Sequence, residues 1–155
     1  MGGVKKIAIA SDHGGFILKE TLKAYLSKKR YAVKDFGTYS KERCDYPEYA
    51  YRASLAVSRG QVKQAILICK SGIGNSIVAN KVPGVRGALC FNVTAARLSR
   101  QHNDSNVLVL GAAFVKPALA KKIVDVWLAT QFEGGRHRRR LNQIREIEKT
   151  LRGRR

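Results

Sequence analysis

Residues 65–76 read Ala65-Ile66-Leu67-Ile68-Cys69-Lys70-Ser71-Gly72-Ile73-Gly74-Asn75-Ser76. Five consecutive apolar residues fit a short strand covered on both faces, as strands are in a parallel sheet. Gly72 and Gly74 follow at once and turn the chain, and a short helix is expected from Asn75. Strand, glycine loop and helix in this order form the repeating unit of an α/β domain.

The same alternation extends both ways along the chain. Toward the N-terminus, residues 4–10 read as a buried strand broken by Ser11-Asp12-His13-Gly14-Gly15. The next segment carries Leu18, Leu22, Tyr25 and Leu26 at helical spacing. A second strand is expected over 31–36, ended by Gly37, followed by a polar loop over 38–46. Pro47 suits the first turn of a helix with Tyr49, Ala53, Ala56 and Val57 on one face. Toward the C-terminus, Lys81-Val82-Pro83-Gly84 marks a turn before a fourth strand at 87–90. A helix over 93–101 and a fifth strand over 107–110 follow. Pro117 opens a helix with Leu119, Ile123, Val126 and Trp127 inward. A last, basic helix is predicted over about 137–151, with Leu141, Ile144, Ile147 and Leu151 spaced for packing.

Five alternations predict an α/β fold with a five-stranded parallel sheet, doubly wound. No repeat or linker divides the chain, so residues 1–155 read as a single domain. Ligands of such folds bind beyond the carboxyl ends of the strands, which directs attention to residues 11–15, 70–74 and 91–92.

Cys69 ends a buried strand just before a glycine loop that opens a helix. Converging N–H groups and the helix N-terminus favour an anion there, and the same field favours a thiolate. A thiolate beside such a cradle can remove a proton alpha to a carbonyl and stabilise the enediolate. On spacing alone, a structural cysteine before an ordinary tight turn is the commoner meaning, because short glycine loops are frequent. The loop lacks the G-K-[ST] of a Walker motif and is not G-x-G-x-x-G, which argues against nucleotide binding. Asp12 and His13 could handle hydroxyl protons or meet a phosphate; equally, Asp12 could cap the next helix. His102, within residues 99–106, lies in a polar stretch of turn formers. Arg136 and Arg140 lie one helical turn apart and can fork onto one phosphate, although a charge run is more often a solvated face. All three histidines, His13, His102 and His137, fall in polar or glycine-rich segments.

The formal charge of +19 attracts anions of every kind and selects none. The last 20 residues hold nine Lys/Arg and two Asp/Glu, so most of the excess lies elsewhere in the chain. Cys44, Cys69 and Cys90 are too sparse for a disulfide framework, and their spacing suggests no zinc site. Free thiols in a reducing compartment are expected, with the sequons at Asn92 and Asn103 unused. Residues 1–6 lead straight into an apolar run without a signal-peptide h-region, and no run is long enough to span a bilayer. A cytoplasmic location is the expectation.

The segments SDHGGF, DYPEYA, ILICKSGIGNSIVANKVPGVRGALC, LSRQHNDSNVLVLG and FEGGRHRRR occur in one order and spacing. Together the chain resembles the type B ribose-5-phosphate isomerases and their galactose-6-phosphate isomerase relatives, over about residues 6–147. The resemblance implies a Rossmann-like three-layer α/β sandwich. It implies a homodimer, tetrameric in some members, with the C-terminal helix used in dimerisation and active sites between subunits. It implies a metal-free and cofactor-free aldose–ketose isomerisation of ribose 5-phosphate and ribulose 5-phosphate, placed in the pentose phosphate pathway. Cys69 would be the base, with Ser71 assisting the O1/O2 protons. N–H groups from Ser71 through Gly72, Ile73, Gly74 and Asn75 to Ser76 would hold the enediolate. Asp12 and His102 would serve ring opening, and Asn103 and Tyr46 would line the site. His13, Arg136 and Arg140 would bind the phosphate, with His137 nearby.

Two positions depart from the family pattern: Lys70 replaces the usual glycine after the cysteine, and Asn75 replaces an apolar residue. Galactose-6-phosphate subunits often lack the cysteine or the arginine pair, and this chain keeps both, which favours a pentose phosphate. The competing readings are isomerisation of another sugar phosphate such as a hexose 6-phosphate, a sugar-phosphate sensor on the same fold, or a basic nucleic-acid-binding protein. The last lacks any recognised RNA or DNA motif, so nucleic acid is not the expected partner.

Overall fold

The computed structural model describes residues 2–154. Its strands are β1 (Lys6–Ser11), β2 (Ala32–Asp35), β3 (Ala65–Cys69), β4 (Gly87–Leu89) and β5 (Val107–Gly111). The helices are α1 (Phe16–Lys28), α2 (Tyr46–Ser58), α3 (Ile73–Ala79), α4 (Val93–Asn103), α5 (Pro117–Ala129) and α6 (Arg136–Arg152). All strand pairs are parallel, in the order β2-β1-β3-β5-β4. The fold is therefore a three-layer α/β sandwich around a five-stranded parallel sheet.

Alternation along the strands sorts the core into two layers. Ile7, Ile9, Ile66, Ile68, Leu108 and Leu110 face α1, α4 and α5, where Leu22, Ala96, Ile123 and Trp127 complete one cluster. Ala8, Ala10, Leu67, Val107 and Val109 face α2 and α3. Alanines on both sides of that second layer, such as Ala50, Ala53 and Ala56 of α2, let the helix lie close to the sheet.

The chain leaves β1 toward β2 and returns to place β3 on the other side of β1. That reversal opens a crevice beyond the carboxyl ends of β1 and β3, where ligands bind in doubly wound folds. It lies between Ser11-Asp12 and Cys69-Lys70.

Several boundaries differ from those the pattern predicts. The first helical residue of α3 is Ile73 rather than Asn75, because Gly72 takes φ +80 and starts the helix early. The predicted helix over 93–101 continues to Asn103, so His102 and Asn103 end a helix instead of lying in a loop. In α5 the buried residues are Ala120, Ile123, Val124 and Trp127, while Leu119 and Val126 are half-buried. Of the stripe predicted to pack on α6, only Leu141 is buried; Ile144, Ile147 and Leu151 are exposed.

Lys19 is fully buried. Its Nζ donates to Asp35 at 2.6 Å and to Glu20 at 3.1 Å. Asp35 also accepts from Lys23 and from the Gly37 N–H. Burial alone would raise the Asp35 carboxyl, but these bonds together hold it below its ordinary value. The network fixes the chain where it leaves β2 for the loop that leads to Cys44 and Tyr46.

Candidate active site

The crevice between β1 and β3 gathers one group of the sequence-predicted residues. Cys69 is buried at the end of β3, and the Gly72 N–H donates to its Sγ at 3.2 Å. Gly72 is required there twice over: its φ is +80, and a Cβ would stand 2.5 Å from Leu89 Cδ1. The Ile73 N–H donates to Ser71 Oγ at 3.2 Å, and the Ser76 N–H to the Gly72 carbonyl. The anion cradle expected from Ser71 to Ser76 thus has three of its N–H groups already engaged. Gly72 offers α3 no side-chain cap, so the N–H groups of Gly74 and Asn75 are left over by the first turn.

Asp12 is buried at the other wall. Its Oδ1 accepts from the Gly15 N–H at 3.1 Å, so the capping reading holds, for a single 3-10 turn at His13–Gly15. His13 Nδ1 lies 3.2 Å from the Cys44 N and 3.1 Å from the Cys44 O, which leaves Nε2 as the free nitrogen. Gly14 abuts Lys70: a Cβ on it would be 3.3 Å from Lys70 Cβ. The loops after β1 and β3 therefore touch, and the Lys70 side chain is exposed. Tyr46 opens α2 and lies across Gly74, where a Cβ would be 2.5 Å from Tyr46 Cζ. Asn75 is buried with its Oδ1 unpartnered.

The second group lies at the opposite end of the sheet. Asn103 ends α4, and three residues later the Asn106 carbonyl accepts from the N–H of Ala65, the first residue of β3. Cys69 pairs with Gly111, four residues up β5 from Val107. At about 3.3 Å per residue the two ends of that strand are about 13 Å apart. Within one chain His102 and Asn103 cannot reach the substrate that Cys69 would hold. His102 stacks on His137, with ring centroids 4.3 Å apart and planes inclined by 13°. His137 is buried, and Glu133 Oε2 lies 3.6 Å from its Nε2. The Glu133 N–H in turn donates to the Gln101 carbonyl, tying the segment before α6 to α4. Burial lowers the His137 pKa, helped by neighbouring His102 and Arg136. Arg136 and Arg140 are exposed beside this stack. Arg138, which the charge run suggests is solvated, lies over the Phe132 ring at 4.8 Å.

Sequence spacing suggests no metal site, yet the fold brings ligand atoms of His102, Glu133 and His137 within 4.8 Å of one another. Stacked imidazoles direct their in-plane lone pairs side by side, and the flanking arginines disfavour a cation. The arrangement suits proton sharing and anion contact better than metal ligation.

A sequence profile of the ribose/galactose isomerase family matches residues 7–144. The chain belongs to that family. It is 52% identical to ribose-5-phosphate isomerase B of Escherichia coli K12 over 145 residues, 94% of this chain and 97% of the relative. The solved structure of Clostridium thermocellum ribose-5-phosphate isomerase B superposes with a TM-score of 0.93 at 49% identity, covering 94% of this chain and 99% of that one. Ribose-5-phosphate isomerase B of Mycoplasma genitalium, solved with bound ribulose-5-phosphate, has a TM-score of 0.89 at 42% identity, covering 93% and 96%.

Several contributors to this isomerase-family site escape a reading of the sequence. Nothing local points to the Cys44 backbone as the partner of His13, 31 residues away. Lys19 looks like one more surface cation. Glu133 precedes Gly134, Gly135 and the start of α6 at Arg136, so only the fold brings its carboxylate to His137.

Proposed function

We propose that this chain interconverts ribose 5-phosphate and ribulose 5-phosphate through an enediolate, with Cys69 as the base. The observation that carries the reading is the buried Cys69 Sγ at the β1/β3 crevice, receiving the Gly72 N–H. That bond strengthens when the sulfur carries negative charge. The thiolate takes the proton from C2 of the open-chain aldose while the C1 carbonyl oxygen gains charge. The unengaged N–H groups of Gly74 and Asn75 face that charge, and Ser71 Oγ relays the proton between O1 and O2. The protonated thiol then returns its proton to C1. Electrons only redistribute within the sugar, so the step needs neither cofactor nor metal. Asp12 and His102 open the ring, Tyr46 and Asn103 contact hydroxyls, and His13, Arg136 and Arg140 hold the phosphate beside His137. Residues 1–155 act as one catalytic domain, in the reducing cytoplasm that a free thiol base requires. Among the described residues no helix is long and apolar enough to cross a membrane.

The two groups meet only if a second copy presents its amino edge to this carboxyl edge. Two exposed apolar surfaces support such a homodimer. One is the α6 stripe of Ile144, Ile147 and Leu151; the other is Ile73, Ile77, Phe91 and Phe114 around the mouth of the Cys69 crevice. A two-fold arrangement makes two equivalent sites, and a tetramer would repeat the pairing. Mixing two inactive variants tests this directly. Cys69→Ala and His102→Ala are each expected to be inactive on ribose 5-phosphate. Co-refolded one to one, they should recover about a quarter of parent turnover, because half the dimers would carry one intact site. No recovery in a mixture that forms heterodimers would show that each site lies within one chain. Turnover of a hexose 6-phosphate in preference to the pentose would overturn the substrate assignment.

A further inference from the structure

The isomerase reading leaves much of the +19 charge without a role. A cavity of about 910 Å³ opens at the amino edge of the sheet. Residues 3–6, 60–64, Leu128, Thr130 and Gln131 wall it. Lys5, Lys6, Lys63, Arg86 and Arg100 line it, and Asp104 is the one carboxylate among the lining residues. Its volume lies in the range of small-molecule sites, of roughly 300–1,000 Å³. Lys5, Lys6 and Lys63 are exposed, so their charges are available to an incoming anion. Arg86 and Arg100 share the single Asp104 carboxylate, at 3.4 and 2.9 Å. Burial lowers the Arg86 pKa, and the nearby Arg145 and Arg100 lower it further against the pull of Asp104. Arg100 also donates to the Thr130 and Ser105 carbonyls, and cations outnumbering carboxylates give the cleft a positive potential that favours an incoming anion.

We propose that this cleft binds a compact small molecule carrying two or more phosphates, and that its occupancy is coupled to His102 and Asn103. Five cations around one cleft exceed what one phosphate can engage. The cleft is concave and Tyr31 is its only aromatic lining residue. That favours a small anion over a nucleic-acid strand, which needs stacking faces along a groove. The coupling runs through Asp104. This residue caps α4 in the left-handed region, at φ +45, directly after His102 and Asn103. Arg86 Nε also donates to the Asn103 and Asp104 carbonyls, at 3.0 Å each. A phosphate that draws Arg86 or Arg100 from Asp104 loosens the cap that sets the last turn of α4.

The test uses the full chain and inorganic pyrophosphate. Calorimetric titration compares the parent with the Lys5→Glu/Lys63→Glu double variant, two residues outside the catalytic groups. The parent should bind pyrophosphate at least tenfold more tightly than the variant, with equal turnover in its absence. Saturating pyrophosphate should shift the KM for ribose 5-phosphate about fivefold or more in the parent alone. Equal affinity in a folded double variant would overturn the proposal, as would purely competitive inhibition identical in both proteins. Displacement of pyrophosphate by oligouridylate at lower concentration than by a sugar bisphosphate would overturn the small-molecule assignment. Only the kinetic arm rests on the isomerase reading. The binding arm contains no sugar, so the two can fail separately.

Discussion

At the carboxyl edge of the sheet, Cys69, Asp12 and His13 are held chiefly by backbone groups: the N–H of Gly72, the N–H of Gly15 and the Cys44 peptide. At the amino edge, His102, His137 and Glu133 hold one another by side chains, with Arg136 and Arg140 exposed beside them. Backbone donors are fixed by the fold and can be preorganised around developing charge. Fixing an exposed arginine costs side-chain entropy, which a bidentate contact with phosphate can offset. On the proposed assignment the first edge supplies the base and the second the arginine pair for the phosphate, while His13 and His102 would serve the other edge's task. Neither edge carries both the base and the arginine pair.

The sharpest way to break this contrast is to remove the proposed base. Cys69→Ala should lower turnover at least ~10²-fold while sugar-phosphate binding persists. Cys90→Ser should retain activity, because burial pushes the Cys90 thiol up to about 11, far from any role as a base near neutrality. Near-normal turnover in Cys69→Ala would remove the chemistry from the carboxyl edge.

Next in size is the support beneath that edge. Asp35→Asn leaves the buried Lys19 charge without its nearest carboxylate and should destabilise the fold by about 3 kcal/mol. The Asp35 carboxyl is depressed in the folded protein. Its contribution is therefore full above the ordinary carboxylate value and is lost as pH falls through the lower folded value. Denaturant midpoints measured from pH 6 down to pH 2 should show that loss in the parent and a flatter profile in Asp35→Asn. Equal slopes would mean that Asp35 is not a main source of acid sensitivity.

The amino edge is tested through KM. Arg140→Ala should cost about 1.5–3 kcal/mol of phosphate binding and raise KM for ribose 5-phosphate roughly 10- to 150-fold. Arg139→Ala should change it little. Arg138→Ala is a poorer control, since that guanidinium covers Phe132 and its loss disturbs packing. Equal effects from all three would dissolve the distinction between a clamp and a basic face.

The smallest effect is expected from Lys70. Its side chain is exposed although its backbone directly follows Cys69. Lys70→Gly should leave turnover within about threefold of the parent, since no ordered lysine contact is lost. A larger change, or a switch between pentose and hexose phosphates, would extend the carboxyl-edge site to this residue.

Much of this molecule is legible along the chain. The apolar run ending at Cys69, the glycines after it and the five alternations specify a parallel α/β sheet with its ligand crevice at the strand ends. They do so because strand burial, turn chemistry and helix starts depend on neighbours a few residues apart. The same locality explains where pattern and structure part: Asn103 and Asp104 are turn formers by type, yet here Asn103 ends α4 and Asp104 caps it, so the helix outruns its predicted end. Other features depend on strand order and helix placement, which no local pattern encodes. Those are the burial of Lys19 against Asp35, the Cys44 peptide on His13, the stack of His102 on His137, and above all the separation of the site residues between the two edges. Residues 69 and 102 lie in one catalytic list by resemblance, yet the crossover through α4 carries the chain from the carboxyl edge back to the amino edge. A helix that connects parallel strands must make that return, so Cys69 and His102 end up at opposite edges of the sheet within each chain.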